Sequence, residues 1–186
     1  MAERFMDEDV KTRLILSGIE QIETSGIKDF SLRRAAESAG VSCAAPYRYF
    51  KSKEDYIANI YSYLAEKWQL LLSEIERAYN YDKREFFIEA LCANIRFWLA
   101  NKNLRSALMF VDDDKGSIKL SDFDKDLFEK ISEYLSKSKK HNSNINVCIV
   151  SIRASLYGFI TLIGAGELSL EEDDLKNIKN SFMSFL

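Results

Sequence analysis

Apolar residues recur along this chain mostly at steps of three and four, the spacing of one buried stripe on an α-helix. Val10, Leu14, Gly18, Ile19 and Ile22 predict a first helix from about Glu8 to Ser25, stopped by Gly26. Ser31 is an N-cap for a second, Leu32 to about Ala39, with Leu32, Ala35, Ala36 and Ala39 inward. Gly40-Val41-Ser42 then reads as a sharp turn, a core plug and the cap of a short third helix ending near Phe50. Ser52 caps a long fourth helix to about Tyr79, with Tyr56, Ile60, Tyr63, Leu64, Trp68, Leu71, Leu72 and Ile75 as its stripe. Further helices are expected at about Arg84 to Ala100, Leu104 to Val111 and Phe123 to Lys137.

The last third has another texture. Ile145 to Leu168 is apolar around most of its circumference, and Leu175 to Leu186 closes the chain as a final helix. A helix apolar on most sides must be buried on most sides. A surface shared with a second copy of the chain meets that need. A membrane span is the alternative, disfavoured by Arg153 near the middle and by flanks without anchoring clusters. The pattern thus predicts an all-α protein of about nine helices: a three-helix head over residues 1–54 and a helical body over 55–186.

Composition changes this picture little. Hydrophobic residues make up 47% and charged residues 30% of the 186, a globular balance, and one proline with seven glycines leaves little punctuation for strand turns. Cys43, Cys92 and Cys148 are odd in number and widely spaced, and no secretory signal opens the sequence, which favours free thiols in a reducing cytoplasm. His141 is the lone histidine, in a polar connector; without a Cys/His cluster no metal site is expected. The run Asp112-Asp113-Asp114 lacks the alternating spacing of a calcium loop. No phosphate loop or nucleophile with an evident base is present, so no enzyme and no cofactor are expected.

Charge changes it more. The net charge is −3, but positions 26–53 hold six basic and two acidic residues, a local +4 that leaves −7 elsewhere. Phosphate binding needs such a local patch, because the field of a charge reaches only about 10 Å in salt. Within it, residues 31–50 read SLRRAAESAGVSCAAPYRYF. Helix, glycine turn and short second helix form a helix-turn-helix, whose second helix can meet base edges in a major groove. Tyr47 and Tyr49 flank that helix and can donate hydroxyls to two backbone strands, Phe50 turns inward, and Lys53 places a charge at the next helix start. Arg33 and Arg34 read equally as DNA contacts or as a solvated face. Cys43, near a helix N-terminus, reads as a small filler facing DNA more readily than as a redox sensor.

Taken together, the opening helix with Gly26, Ser31-Leu32-Arg33-Arg34-Ala35-Ala36, Ala39-Gly40-Val41-Ser42 and Tyr47-Arg48-Tyr49-Phe50-Lys51-Ser52-Lys53-Glu54 resemble the head of the TetR family of bacterial regulators over Lys11–Ile57. Beyond Ile57 the likeness is architectural. The resemblance implies phosphate contacts by Ser31, Ser42, Tyr47, Tyr49 and Lys53, and groove-facing positions for Cys43, Ala44, Ala45 and Arg48. It departs from the family pattern at Pro46, where most members carry Leu or Ile. Proline has no N–H to donate, so the helix is expected to start one turn late, a subgroup trait. The small side chains nearby leave direct readout to Arg48, methyl contacts and DNA shape.

The resemblance further implies a cytoplasmic homodimer formed through the last two helices, residues 145–186. It implies a double-stranded operator as partner and a small-molecule effector bound in the body, most simply releasing a repressor. Trp68, Phe97, Trp98, Phe110 and Tyr157 are candidates for lining the effector site, each also readable as plain core. Arg96, Arg153 and Glu167 lie in apolar surroundings, where they orient a charged ligand, pair with one another or reach solvent. A binding or interaction module that keeps the head without a DNA role is the alternative reading.

Overall fold

The computed structural model describes residues 2–109, 120–137 and 144–186, with side chains over 9–106, 122–137 and 144–186. Ten helical segments and no strand occur among them: α1 Ala2–Ser25, α2 Leu32–Ser38, α3 Pro46–Tyr49, α4 Lys53–Ala78, α5 Lys83–Ala100, α6 Lys102–Met109, α7 Leu120–Phe123, α8 Lys125–Lys137, α9 Ile145–Gly164 and α10 Glu172–Phe185. The all-α expectation holds. Phe110 and the runs Asp112–Lys115 and Lys139–Ser143 lie outside the described residues.

The chain folds as two compact units. The first comprises residues 1–67 and 101–120, the second 68–100 and 121–186. In the first, α1 packs against α2, α3 and α6. Leu14, Ile22, Phe30, Ala35, Ala36, Phe50, Tyr56 and Ile60 make its core. Gly26 ends α1 at φ +80°, its N–H on the Ile22 carbonyl, a conformation that glycine adopts without Cβ strain. Gly40 ends α2 at φ +68°; its N–H bonds the Glu37 carbonyl while Val41 N–H bonds that of Ala36, a Schellman closure. Ser52 caps α4 through Oγ to Asp55 N–H, and Asp55 reaches back to Lys51 N–H. The inward tyrosine beyond Tyr56 is Tyr61, whose hydroxyl donates to the Leu104 carbonyl, while Tyr63 is half-buried beneath Lys67.

Residues beyond position 54 join this unit for an identifiable reason. The Glu23 carboxylate on α1 accepts from the backbone N–H groups of Asn103 and Leu104, capping α6. Asn103 returns its amide to the carbonyls of Ile22 and Glu23. A carboxylate at a helix N-terminus satisfies orphan donors and meets the positive end of the dipole.

In the second unit, α5 packs on α8, α9 and α10 around Phe86, Leu91, Ile95, Trp98, Leu127, Ile131, Leu156 and Phe182. Lys130 pairs with Glu76 and Lys179 with Glu89 at its margins. The helix expected from Phe123 is broken by Asp124, which is fully buried between α7 and α8. On α9, Ile152, Leu156 and Ile160 are buried. Part of its remaining apolar surface is left open by the described residues: Val147 is 59% and Val150 66% exposed. By length and composition, Ile145–Gly164 is also apolar enough to cross a bilayer.

Candidate nucleic-acid interface

Each candidate side chain is positioned by short-range contacts in the first unit. Ser31 takes the N-cap position of α2 with extended backbone, φ −136° and ψ 126°. Its hydroxyl makes no capping bond; its N–H donates to Gln21 Oε1 at 2.6 Å, which anchors α2 to α1. Ser17 Oγ on α1 donates to the Ala35 carbonyl at 2.9 Å and fixes the same crossing. Arg33 is exposed and paired with Glu37 at 3.0 Å, an i,i+4 bridge on a solvated face. That pairing raises its pKa, with Cys43 as a smaller neighbouring influence.

The third helix begins at Pro46, one turn later than Ser42 would start it. Proline suits the first helical position, where no N–H bond is required. Ser42 therefore does not cap α3. It opens a separate turn, its carbonyl accepting from Ala45 N–H at 2.9 Å. Ala45 becomes the N-cap residue and is buried, 9% exposed, so it does not present the groove-facing methyl expected of it. Ser42, Cys43 and Ala44 stay exposed.

Tyr47 is 68% exposed and Arg48 is exposed beside it, whereas Tyr49 is half-buried. The two tyrosines thus differ: Tyr47 stands free of the core, while Tyr49 leans on Phe50 at 6.2 Å and under the Arg48 guanidinium at 5.8 Å. Phe50 turns inward as expected and stacks on Tyr56 at 4.1 Å. Lys53, in the first turn of α4, rests its ammonium 5.6 Å from the Phe30 ring centroid, which aims it without burying it. The head therefore exposes hydroxyls, small side chains and a cation along residues 42–48, with Lys53 in the turn that follows.

Tyr56 is the residue whose role the sequence pattern understates. It looks like one more apolar stripe position, yet its hydroxyl donates to the Leu14 carbonyl and its ring packs on Phe30 and Phe50. Burial holds that hydroxyl well above its ordinary pKa. Gly18 makes room for it: a Cβ there would stand 2.6 Å from Tyr56 Cε1 and 2.8 Å from Ile60 Cδ1. Cross-helix partners of this kind leave no spacing signal in sequence.

The second unit holds the effector candidates. Trp68 and Trp98 are buried, Phe97 and Tyr157 are half-buried, and Phe110 lies outside the described residues. Trp68, Phe97 and Trp98 form a chain of ring contacts at 5.6 and 5.3 Å, and Trp98 meets Phe123 edge-on at 4.9 Å. Tyr157 reaches this group through Asp124, its hydroxyl 3.4 Å from Oδ2. Phe97 also lines an open groove of about 540 Å³ with Leu71, Ile75, Tyr79, Ala93 and Arg96. Arg153 lies on the Phe128 ring at 4.2 Å. Glu167 is exposed just past the glycine that ends α9.

Such a head on an all-helical body defines a helix-turn-helix DNA-binding regulator. Residues 14–60 match the family model of bacterial regulatory proteins, tetR family, so the head is similar to the DNA-binding head of that family. A search of curated proteins finds no match. Solved structures share the fold along nearly the whole chain. A TetR-family transcriptional regulator from Vibrio parahaemolyticus is 19% identical, with 94% of this chain and 97% of that one covered at a TM-score of 0.68. The fatty acid degradation regulator FadR from Bacillus halodurans is 17% identical, covering 95% and 94% at 0.70. FadR from Bacillus subtilis, solved with stearoyl-CoA, is 16% identical, covering 93% and 95% at 0.65.

Proposed function

We propose that this protein is a homodimeric, effector-responsive regulator of transcription that acts as a cytoplasmic repressor. The observation that carries the DNA role is the exposed set Ser42, Cys43, Ala44, Tyr47 and Arg48, anchored next to the Phe50–Tyr56 ring contact within a head that matches the family model. Ser31, Ser42, Tyr47, Tyr49 and Lys53 contact phosphates and fix position; Arg48 is the one groove-facing side chain able to make a bidentate contact to a base. Arg33, paired with Glu37, adds field more than a direct contact. The head proper is taken as residues 1–54 and the effector-binding and dimerising body as 55–186.

The uncovered apolar side of α9 supports dimerisation through residues 145–186. Val147, Val150 and Leu162 remain exposed in the single chain, and a two-fold interface buries the same patch on both copies. Two heads then read half-sites about 34 Å apart on a pseudo-palindromic operator. An effector held by the aromatic set Trp68, Phe97, Trp98, Phe110 and Tyr157 releases DNA by binding better to another arrangement of the dimer.

Gel-shift assays on the promoter nearest its own gene test this reading. Tyr47→Ala and Lys53→Ala should each weaken operator binding while sedimentation still reports a dimer. A dimer whose DNA affinity ignores both substitutions would favour the second reading, an interaction module that keeps the head without a DNA role. The small side chains of Cys43 and Ala44, which offer little hydrogen bonding to bases, are the feature that favours it.

A further inference from the structure

Asp124 has a costly position. It breaks the helix between α7 and α8, is fully buried, and makes no ion pair with any described residue. Asn94 Nδ2 donates to its Oδ1 at 2.6 Å from α5, and the Tyr157 hydroxyl stands 3.4 Å from its Oδ2 from α9. Arg153, also on α9, attracts it from a distance, but that guanidinium is laid on the Phe128 ring and its Nε is buried without an acceptor. Desolvation dominates these favourable contacts and pushes the Asp124 carboxyl up to about 6. At neutral pH the second unit therefore holds a largely ionised, under-compensated carboxylate.

Its surroundings have a defined chemistry. Asn94 Oδ1 is a buried acceptor with no donor, so carboxylate and amide together offer acceptor capacity in excess of the donors around them. Trp98, one helical turn from Asn94, adds an aromatic wall and an unpartnered indole N–H, and Phe123 packs on its edge. A groove of about 340 Å³ between α8 and α9 is lined by Phe128 and Arg153 together with Asp122, Lys125 and Glu129, and Phe128 stands one helical turn from Asp124, its N–H on the Asp124 carbonyl. That volume suits a small ligand.

We infer that the body's effector is an organic cation, a protonated amine on an apolar or aromatic frame, whose ammonium group is held by Asp124 and Asn94 beside Trp98. This rests on the effector-responsive reading above and names the chemical class of its ligand. An ammonium N–H group supplies the donor that Asn94 Oδ1 lacks and the positive charge that the hydrogen bonds to Asp124 do not bring, and a neighbouring indole ring is compatible with a cation. Arg153 is the competing site: an anion entering the same groove would pair with it instead.

The test uses the full-length protein without DNA, so its failure is separable from failure of the operator reading. Three probes share one frame and differ in charge: phenethylamine, 2-phenylethanol and phenylacetate. Binding is read by the fluorescence of Trp68 and Trp98, the two tryptophans of the chain. Phenethylamine should give saturable quenching, bind more tightly than the neutral and anionic probes, and weaken as pH falls through about 6. Asp124→Asn should weaken it about tenfold or more, as expected for loss of a charge-assisted contact. Calorimetry of the unaltered protein in two buffers of different ionisation enthalpy provides a check independent of any variant. Near pH 6 phenethylamine binding should release protons, because it selects the ionised carboxylate. Tighter binding of phenylacetate, equal binding of all three probes, binding without proton release, or no response to phenethylamine would overturn the proposal.

Discussion

The hydroxyl of Tyr56 on α4 donates to the backbone carbonyl of Leu14 on α1, and both residues are fully buried. This bond joins the helix that follows the helix-turn-helix to the helix that supports it. Phe30 and Phe50 close on the same ring, so one side chain gathers four parts of the head.

Removing only that hydroxyl tests its contribution. Tyr56→Phe should lose about 1 kcal/mol of stability, a typical net value for a buried hydrogen bond. For a chain of this size that lowers the melting temperature by about 2–4 °C, readable by circular dichroism. An unchanged midpoint would show that ring packing alone holds α1 to α4.

Gly18→Ala should cost more. Alanine is the better helix former by about 1 kcal/mol, but its methyl would meet Tyr56 and Ile60 at under 3 Å. Overpacking of that kind costs about 1–3 kcal/mol, so the net change should be destabilising. A melting temperature raised by the substitution would refute the close approach of α1 and α4.

The head was legible in the sequence for physical reasons. Gly26 and Gly40 end helices at positive φ, Ser52 caps α4, and Pro46 delays α3; each is a local constraint written in one residue type. Ala45 and Ser42 went otherwise because a delayed helix rotates the residues before it into a turn, a shift that spacing counted from Ser42 does not reveal. In the body the stripes located the helices. Asp124 carries no signal in the sequence, because nothing local shows that Asn94 and Tyr157, roughly thirty residues away on either side, would meet it. The capping of α6 by Glu23 was invisible for the same reason: its partners are eighty residues apart.

Asp124 gives the second unit an unusual pH dependence. Its folded pKa, about 6, lies above the ordinary value, so between about pH 4 and 6 the folded state binds more protons than the unfolded chain. Stability from this group is fully present below about pH 4 and lost as pH rises through about 6, an effect on the order of 3 kcal/mol. Asp124→Asn keeps an acceptor for Asn94 and removes the charge. It should raise the midpoint of denaturant unfolding at pH 7.5 and flatten this component of the profile between pH 4 and 7. A variant less stable at pH 7.5 would mean that the carboxylate is better compensated than its partners indicate.

The exposed side of α9 makes a separate prediction. Val150→Glu places a charge on a residue already open to water in the single chain, so the fold should survive. In a two-fold interface the same charge would face its own copy and stay desolvated, which is strongly unfavourable. Analytical ultracentrifugation should therefore find folded monomers. Persistence of the dimer would move its interface elsewhere.

Salt dependence of DNA affinity addresses the central claim most directly. Affinity of the unaltered protein should be measured by fluorescence anisotropy on the promoter nearest its own gene and on a scrambled duplex, across a series of salt concentrations. A protein that grips phosphates through Lys53 and its neighbours while Arg48 reads bases should prefer the promoter at every salt. Its binding constant on both duplexes should fall steeply, with a slope of about −0.9 for each phosphate neutralised. Binding that is absent at low salt, or indifferent to both salt and sequence, would contradict the assignment of this head to an operator.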